Sequence, residues 1–142
     1  MSSDSLAYDA VLCLSEDHRS GARARQFARQ TLAKSGYLGR HEDVVLVVSE
    51  LVSNALLHAV GAPVLRLFGT SSRVRVEVSD ESPALPAVRR PGAVGGGGWG
   101  LNLVQRLVTG WGAAHRNGGK VVWCELTPSA APAGAERPAA TA

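Results

Sequence analysis

Patterns of apolar and polar residues divide the chain into seven predicted elements, three of them in its first 59 residues. Ala7–Leu14 is rich in apolar residues and predicts a first strand. From about Ser20 to Lys34, apolar residues recur at steps of three and four, which is typical of an amphipathic helix. A second helix is expected from His41 or Glu42 to Ala59, because glycine and proline follow it closely.

The second half of the chain predicts a hairpin, a helix and a last strand. Val64–Phe68 and Arg73–Ser79 are expected to pair, because the connection between them is short. Valines alternate with arginine and glutamate in the second of these strands, which predicts one buried face and one solvent-facing one. A further helix, with Val108 on its apolar face, starts near Gly100 or Leu101, and Lys120–Leu126 closes the fold as a strand.

Two segments lack any periodic pattern. Asp80–Trp99 contains three prolines and five glycines, and a loop of this length in a compact domain usually acts as a lid or a binding loop. From Pro128 onward the sequence has no aromatic residue and no apolar pattern. Residues 1–127 are therefore expected to form one domain, and residues 128–142 a disordered Ala/Pro-rich tail.

The order of the elements indicates the fold class. There are too few helices to cover both faces of a parallel sheet. They are therefore expected on one face of a mixed, mostly antiparallel sheet. The prediction is an α/β (α+β) two-layer sandwich.

Composition excludes several classes of protein. Hydrophobic residues make up 45% of the 142, enough for one core, and no apolar run approaches the roughly 20 residues of a membrane span. The first residues lack the basic and apolar regions of a signal peptide, so a cytoplasmic protein without a membrane contact is expected. Cys13 and Cys124 each lie in an apolar run, which favours two buried, reduced thiols.

The net charge of +3 and the pI of about 9.3 raise the question of nucleic-acid binding. The cations are scattered, however, and the arginines at 19, 23, 25 and 29 fit the solvated face of the first helix. No aromatic stacking platform accompanies them. We therefore expect no nucleic-acid partner.

A polar stripe on the second helix is the first candidate site. Glu50, Asn54 and His58 follow one another at steps of four residues on an otherwise apolar helix. A buried carboxylate needs a partner or a cleft, whereas a partly exposed stripe would meet water without any function. A carboxylate one turn before an amide suits a general base beside a Mg²⁺ ligand. Helix geometry alone leaves both readings open.

The flanks of the long loop hold two further candidates. Asp80 stands where an alternating strand enters the loop, which fits either a binding group or a turn-forming aspartate. Gly95–Gly100 directly precedes a helix, where free backbone N–H groups attract phosphate. A flexible glycine linker is the alternative. The Gly-Lys-Ser/Thr signature of a Walker A loop is absent from the sequence.

In this order, the stretches resemble the boxes of the Bergerat-fold (GHKL) ATPases. Within that family the chain is most similar to the histidine-kinase-like ATPase domains of anti-sigma-factor serine/threonine kinases, in particular small actinobacterial regulators. The stretches that carry the resemblance are VVSELVSNALLHA (47–59), VEVSDESPALP (76–86), GGGWGLNLVQRLVTGWG (96–112) and GKVVWCEL (119–126).

The resemblance implies a role for each matching position. Asn54 would hold Mg²⁺ between the phosphates, Glu50 would activate the attacking hydroxyl or water, and Asp80 would accept a hydrogen bond from the adenine amino group. His58 fits a position common in the family, where packing or support of a neighbouring ligand is favoured over catalysis. The expected ATP-binding residues are Asn54, Asp80, Gly96, Gly97, Gly98, Trp99, Gly100 and Leu101.

The resemblance also implies an activity and its partners. It suggests an ATP-dependent protein serine/threonine kinase that phosphorylates a STAS-domain anti-anti-sigma protein and binds a sigma factor, and it leaves open whether the protein forms a homodimer. The alternative is an ATP-gated protein-binding switch without kinase activity. One departure from the family pattern is Ser82, which stands where many relatives have the first glycine of the box after Asp80.

Overall fold

The computed structural model describes residues 6–58, 61–82 and 101–128, which form five strands and three helices. The sheet has the strand order β1-β2-β3-β5-β4, with β1 and β4 at its edges. The elements in chain order are β1 (Tyr8–Cys13), α1 (Ser20–Ala33), α2 (His41–His58), β2 (Val64–Thr70), β3 (Arg73–Asp80), α3 (Leu101–Leu107), β4 (Gly110–Arg116) and β5 (Gly119–Leu126).

The sandwich and the β2–β3 hairpin are confirmed, but the sheet is not mixed. Every strand pair in the described part of the chain is antiparallel. Strand β4 was not predicted, and a strand, helix and strand in succession would have made β5 parallel to β3. The additional strand reverses the chain once more, so β5 runs antiparallel to β3.

The missed strand β4 has a weak strand pattern of its own. It contains two glycines and two alanines, which have low strand propensity. A turn signal does follow it, because Asn117 and Gly118 both have positive φ angles, of 52° and 84°. Asn-Gly between two runs is the strongest short-range hairpin signal, so the sequence did contain the evidence for β4.

All three helices belong to one layer, which packs on one face of the sheet. Helix α1 contacts β1 and β2, while α2 contacts β3 and β5 and also packs against α3. The apolar faces of the helices and strands meet in a single buried cluster. In α2 this cluster includes Val44, Val48, Leu51 and Val52, and full burial of one such side chain contributes about 1.5–3 kcal/mol. Helix α2 is therefore held firmly over the centre of the sheet.

Ion pairs and aromatic rings cover the opposite face of the sheet. Glu77, expected to face solvent, is only 5% exposed because Arg75 and Arg116 both bind its carboxylate. The guanidinium of Arg75 also lies 4.2 Å from the ring centroid of Trp123. Charge pairing thus shields much of the outer face of β3 and β5.

The two cysteines occupy different environments. Cys124 is buried in the core, as expected, and this burial raises the pKa of its thiol to about 12. The prediction for Cys13 was wrong, because Cys13 is exposed. In β1 the residues alternate in exposure, and Cys13 lies on the same exposed side as Asp9 and Val11.

Some predicted boundaries differ from those of the structure. Helix α3 ends at Leu107, so Val108 lies just beyond it. Residues 59–60, most of the long loop at 83–100 and the tail from residue 129 lie outside the described part of the chain. None of the described helices combines the length and apolar character that crossing a membrane requires.

Candidate functional site

The polar stripe of α2 carries Glu50 and Asn54. Glu50 is half-buried, and the two core residues Leu51 and Ala55 stand next to these polar positions. The amide oxygen and the amide nitrogen of Asn54 are both buried, and no described residue forms a hydrogen bond with either atom. Such an unpaired buried amide costs about 1–3 kcal/mol, which is unusual for a side chain without a ligand.

Asp80 is the last residue of β3 and shares its helix-facing side with Val76 and Val78. Its Oδ1 accepts a hydrogen bond of 2.7 Å from the backbone N–H of Ser82. This contact gives Asp80 the turn-forming role that the sequence left open. The same carboxylate also has a charged partner on the neighbouring strand.

That partner is Lys120, which lies opposite Asp80 in the register of β3 and β5. Its Nζ is 2.9 Å from Oδ1 and 2.8 Å from Oδ2 of Asp80. The side chains of Lys120 and Asp80 are only 8% and 2% exposed. Lys120 was expected only as the first residue of the last strand. The sequence did contain a signal for its burial, since Lys120 lies on the same face of the strand as Val122, Cys124 and Leu126, which face the core.

The C-terminal end of α2 and the end of β3 meet at one end of the sandwich. Val64, the first residue of β2, pairs with Ser79, the neighbour of Asp80. Gly61, between α2 and β2, has a φ of +81°, and a Cβ there would lie 2.6 Å from the carboxyl carbon of Glu81. The turn after α2 therefore runs close to the Glu81 side chain in the turn after β3. Asn54, one turn from the end of α2, therefore belongs to the same end of the molecule as Asp80.

Several predicted site residues lie outside the described part of the chain. These are the loop residues Gly96, Gly97, Gly98, Trp99 and Gly100. Leu101 begins α3, but neither its side chain nor that of His58 at the end of α2 is described. The phosphate-binding role of the glycine loop thus stays a prediction.

The residues present fit a magnesium ion held together with a nucleotide. The unpaired amide oxygen of Asn54 is a suitable ligand for a hard cation. Within the described ranges, no group of three or more His, Cys, Asp or Glu side chains could hold a metal on its own. Mg²⁺ is commonly bound by one or two protein ligands together with substrate phosphates, so one amide and a triphosphate would suffice.

Comparison with known families identifies the domain. Residues 14–126 match the family described as the histidine kinase-like ATPase domain. The chain belongs to this family. Membership in the histidine kinase-like ATPase family implies ATP binding and confirms, at the level of the family, the resemblance carried by the motifs. No curated protein matches the sequence at a significant level.

A solved structure shows the same fold. The chain is similar to the crystal structure of the RsbU and RsbW domains of Rv1364c from Mycobacterium tuberculosis, with a TM-score of 0.57 and 20% sequence identity. The match covers 85% of this chain and 33% of the other, so this ATPase domain corresponds to about a third of that chain. At this identity, the similarity establishes the fold.

Proposed function

We propose that this histidine kinase-like ATPase domain is an anti-sigma-type protein serine/threonine kinase that uses Mg·ATP. The observation that carries the proposal is the buried, unpaired amide of Asn54 at the end of the sandwich where Asp80 faces the helices. The ATPase family and the fold shared with a chain that contains an RsbW domain support it. The proposed protein substrate is a serine on a STAS-domain anti-anti-sigma protein, and a sigma factor is the proposed second partner.

The chain would divide the binding of the nucleotide among three groups. The amide oxygen of Asn54 would hold the magnesium ion, and the carboxylate of Asp80 would accept a hydrogen bond from the adenine amino group. The predicted glycine loop would direct backbone N–H groups to the phosphates. Magnesium, when bound, neutralises charge on the phosphates.

Glu50 would act as the general base one helical turn from Asn54. In the transfer step, the serine oxygen forms a bond to the γ-phosphorus while the bond from that phosphorus to the bridging oxygen of ADP breaks. Glu50 accepts the proton of the serine hydroxyl. Phosphoryl transfer depends mainly on positioning and charge stabilisation, so a carboxylate fixed on a buried helix is well suited to it.

Transfer of labelled γ-phosphate to a STAS-domain protein tests the proposal. Wild-type protein is expected to label a serine, and Glu50→Gln is expected to bind ATP normally but to label it about 10²- to 10⁴-fold more slowly. Glu42→Gln is the matched control, because it makes the same change near the other end of α2, where Glu42 is exposed and paired with Arg29. Its transfer rate should equal that of the wild type.

Two other outcomes would contradict the proposal. If the wild-type protein binds ATP but transfers no phosphate, the ATP-gated switch is the better description. If Glu50→Gln transfers phosphate at the wild-type rate, Glu50 is not the base.

A further inference from the structure

The buried ion pair between Lys120 and Asp80 is a feature that the proposed kinase chemistry does not yet use. Removing a lysine ammonium from water costs several kcal/mol unless it gains a charged partner and further hydrogen bonds. The Asp80 carboxylate supplies the charge, with both of its oxygens within 2.9 Å of Nζ. Within the described ranges, it is the single hydrogen-bond partner that the structure gives to this ammonium.

The contacts of the pair leave one donor and one acceptor unused. An ammonium carries three N–H donors, and the two contacts with Asp80 occupy at most two of them. Oδ1 of Asp80 already accepts from both Lys120 and the backbone of Ser82. Among the described residues, Oδ2 contacts only the ammonium of Lys120, at 2.8 Å, and an acceptor oxygen with one donor beside it retains a lone pair. A free N–H and a free lone pair thus lie side by side on atoms 2.8 Å apart.

Backbone geometry fixes this arrangement. Gly119 approaches β3 so closely that a Cβ there would overlap the carbonyl oxygen of Asp80 and lie 2.9 Å from the Cα of Glu81. The close approach of the two strands places Lys120 directly opposite Asp80 on the helix-facing side of the sheet. The donor and the acceptor are therefore held in place before any ligand binds.

We propose that Lys120 is a base-binding residue, which donates its free N–H to the ring nitrogen N1 of adenine while Oδ2 of Asp80 accepts from the neighbouring amino group. This inference rests on the proposed function, in which Asp80 meets the adenine amino group. The edge of adenine places a hydrogen-bond donor next to an acceptor, and the Asp80–Lys120 pair offers the complementary order. A carboxylate alone would satisfy only the amino group.

An ATP analogue without the acceptor tests the proposal. In 1-deaza-ATP a C–H group replaces N1, so the hydrogen bond from Lys120 is lost while the amino group remains. In calorimetry with Mg²⁺, wild-type protein should bind ATP roughly 10- to 100-fold more tightly than 1-deaza-ATP, the effect of one hydrogen bond to a charged group. In Lys120→Met, the ratio of the dissociation constants of 1-deaza-ATP and ATP should fall to nearly one. Lys120→Gln retains an N–H donor and should restore part of the ratio.

This ratio of dissociation constants distinguishes recognition of the base by Lys120 from a purely structural role of Lys120. Loss of the ion pair alone would weaken both nucleotides equally and leave the ratio unchanged. If Lys120→Met does not fold, the double variant Asp80→Asn, Lys120→Met removes both buried charges, and its ratio should again be close to one. An unchanged ratio in a variant that lacks Lys120 would overturn the inference and leave the proposed kinase intact. Wild-type protein that binds neither nucleotide would overturn both.

Discussion

The side chain of Asn54 lowers the stability of the free protein and at the same time suits the proposed function. Its two amide atoms are buried and find no hydrogen-bond partner in the part of the chain that the structure describes, although the helix around it is otherwise well packed. Residues that destabilise the free protein tend to occupy sites where a ligand later satisfies them. The cost is local to the side chain, so it can be measured by removing that side chain.

We predict that Asn54→Ala weakens the binding of Mg·ATP at least about 10-fold, because one ligand of the metal is lost. The free energy of unfolding without nucleotide should not fall, and should rise by up to about 1–3 kcal/mol, since the substitution removes a buried amide for which the described residues supply no partner. Calorimetry and urea unfolding measure the two quantities. The exposed neighbour Ser53, changed to alanine, is the control for the helix. Wild-type affinity in Asn54→Ala would contradict the assignment.

Asp80 shows how one residue can serve both of the roles considered for it. It forms a turn through Ser82 and an ion pair with Lys120, and both contacts hold the carboxylate in one orientation. A variant such as Asp80→Asn would therefore leave Lys120 buried without its counter-charge, at a cost of about 3–5 kcal/mol. Loss of ATP binding in that variant alone would not separate recognition from stability.

The strand pair β1–β2 is held by an ion pair at the edge of the sheet. Arg66 donates from Nε and Nη2 to the two carboxylate oxygens of Asp9 over distances of 2.9 and 2.8 Å. Hydrogen bonding from Arg66, with a smaller coulombic contribution, keeps the pKa of Asp9 below its ordinary value. The guanidinium also lies 3.9 Å from the ring centroid of Phe68. The edge strand thus depends partly on a charged carboxylate.

A pKa lowered in the folded state stabilises the protein above the ordinary pKa of the group, near 4. This stabilisation disappears as the pH falls through the lower, folded-state value. We therefore predict that Asp9→Asn is about 0.5–1 kcal/mol less stable than the wild type at pH 7, the size expected of a half-exposed pair, and equally stable near pH 2. Urea unfolding across this range is the measurement.

The control for this pH dependence is Glu16→Gln, at an exposed acid in the loop after β1 for which the described structure gives no ion pair. Its stability should match the wild type at every pH. A deficit of Asp9→Asn that persists at low pH would show that the charge of Asp9 is not its cause.

At the scale of the whole molecule, one core joins the layer of strands to the layer of helices. The proposed ligand would contact the helix layer at Asn54 and the sheet at Asp80. Binding would therefore link the two layers and should stabilise the domain as a unit. A ligand that binds only the folded state stabilises it by about 2.7 kcal/mol at one hundred times its dissociation constant.

We predict that Mg·ATP at one hundred times its dissociation constant raises the melting temperature of the domain by roughly 10 °C. ATP with a chelator should give a much smaller shift, because the amide of Asn54 would have no metal to bind. Differential scanning fluorimetry with magnesium chloride alone as the control measures both. Equal shifts with and without magnesium would contradict the proposed role of the metal.

The sequence by itself determined the features that arise from local periodicity and local motifs. The apolar faces of α1 and α2, the β2–β3 hairpin and the placement of Glu50 one turn before Asn54 all follow from residues close together in the chain. The motifs alone also point to the histidine kinase-like ATPase family. These features were predictable because each depends on contacts within one or two neighbouring elements.

The tertiary structure decided everything that depends on the register of distant strands. Strand β4 is poor in strand-forming residues and exists through its pairing with β5, which in turn fixes the direction of β5 against β3. That register brings Lys120 to Asp80, forty positions away in sequence. The strand order likewise leaves Cys13 exposed on the edge strand β1 and Cys124 buried on the inner strand β5. The pattern of one strand cannot specify these outcomes, because burial depends on which other strand lies beside it.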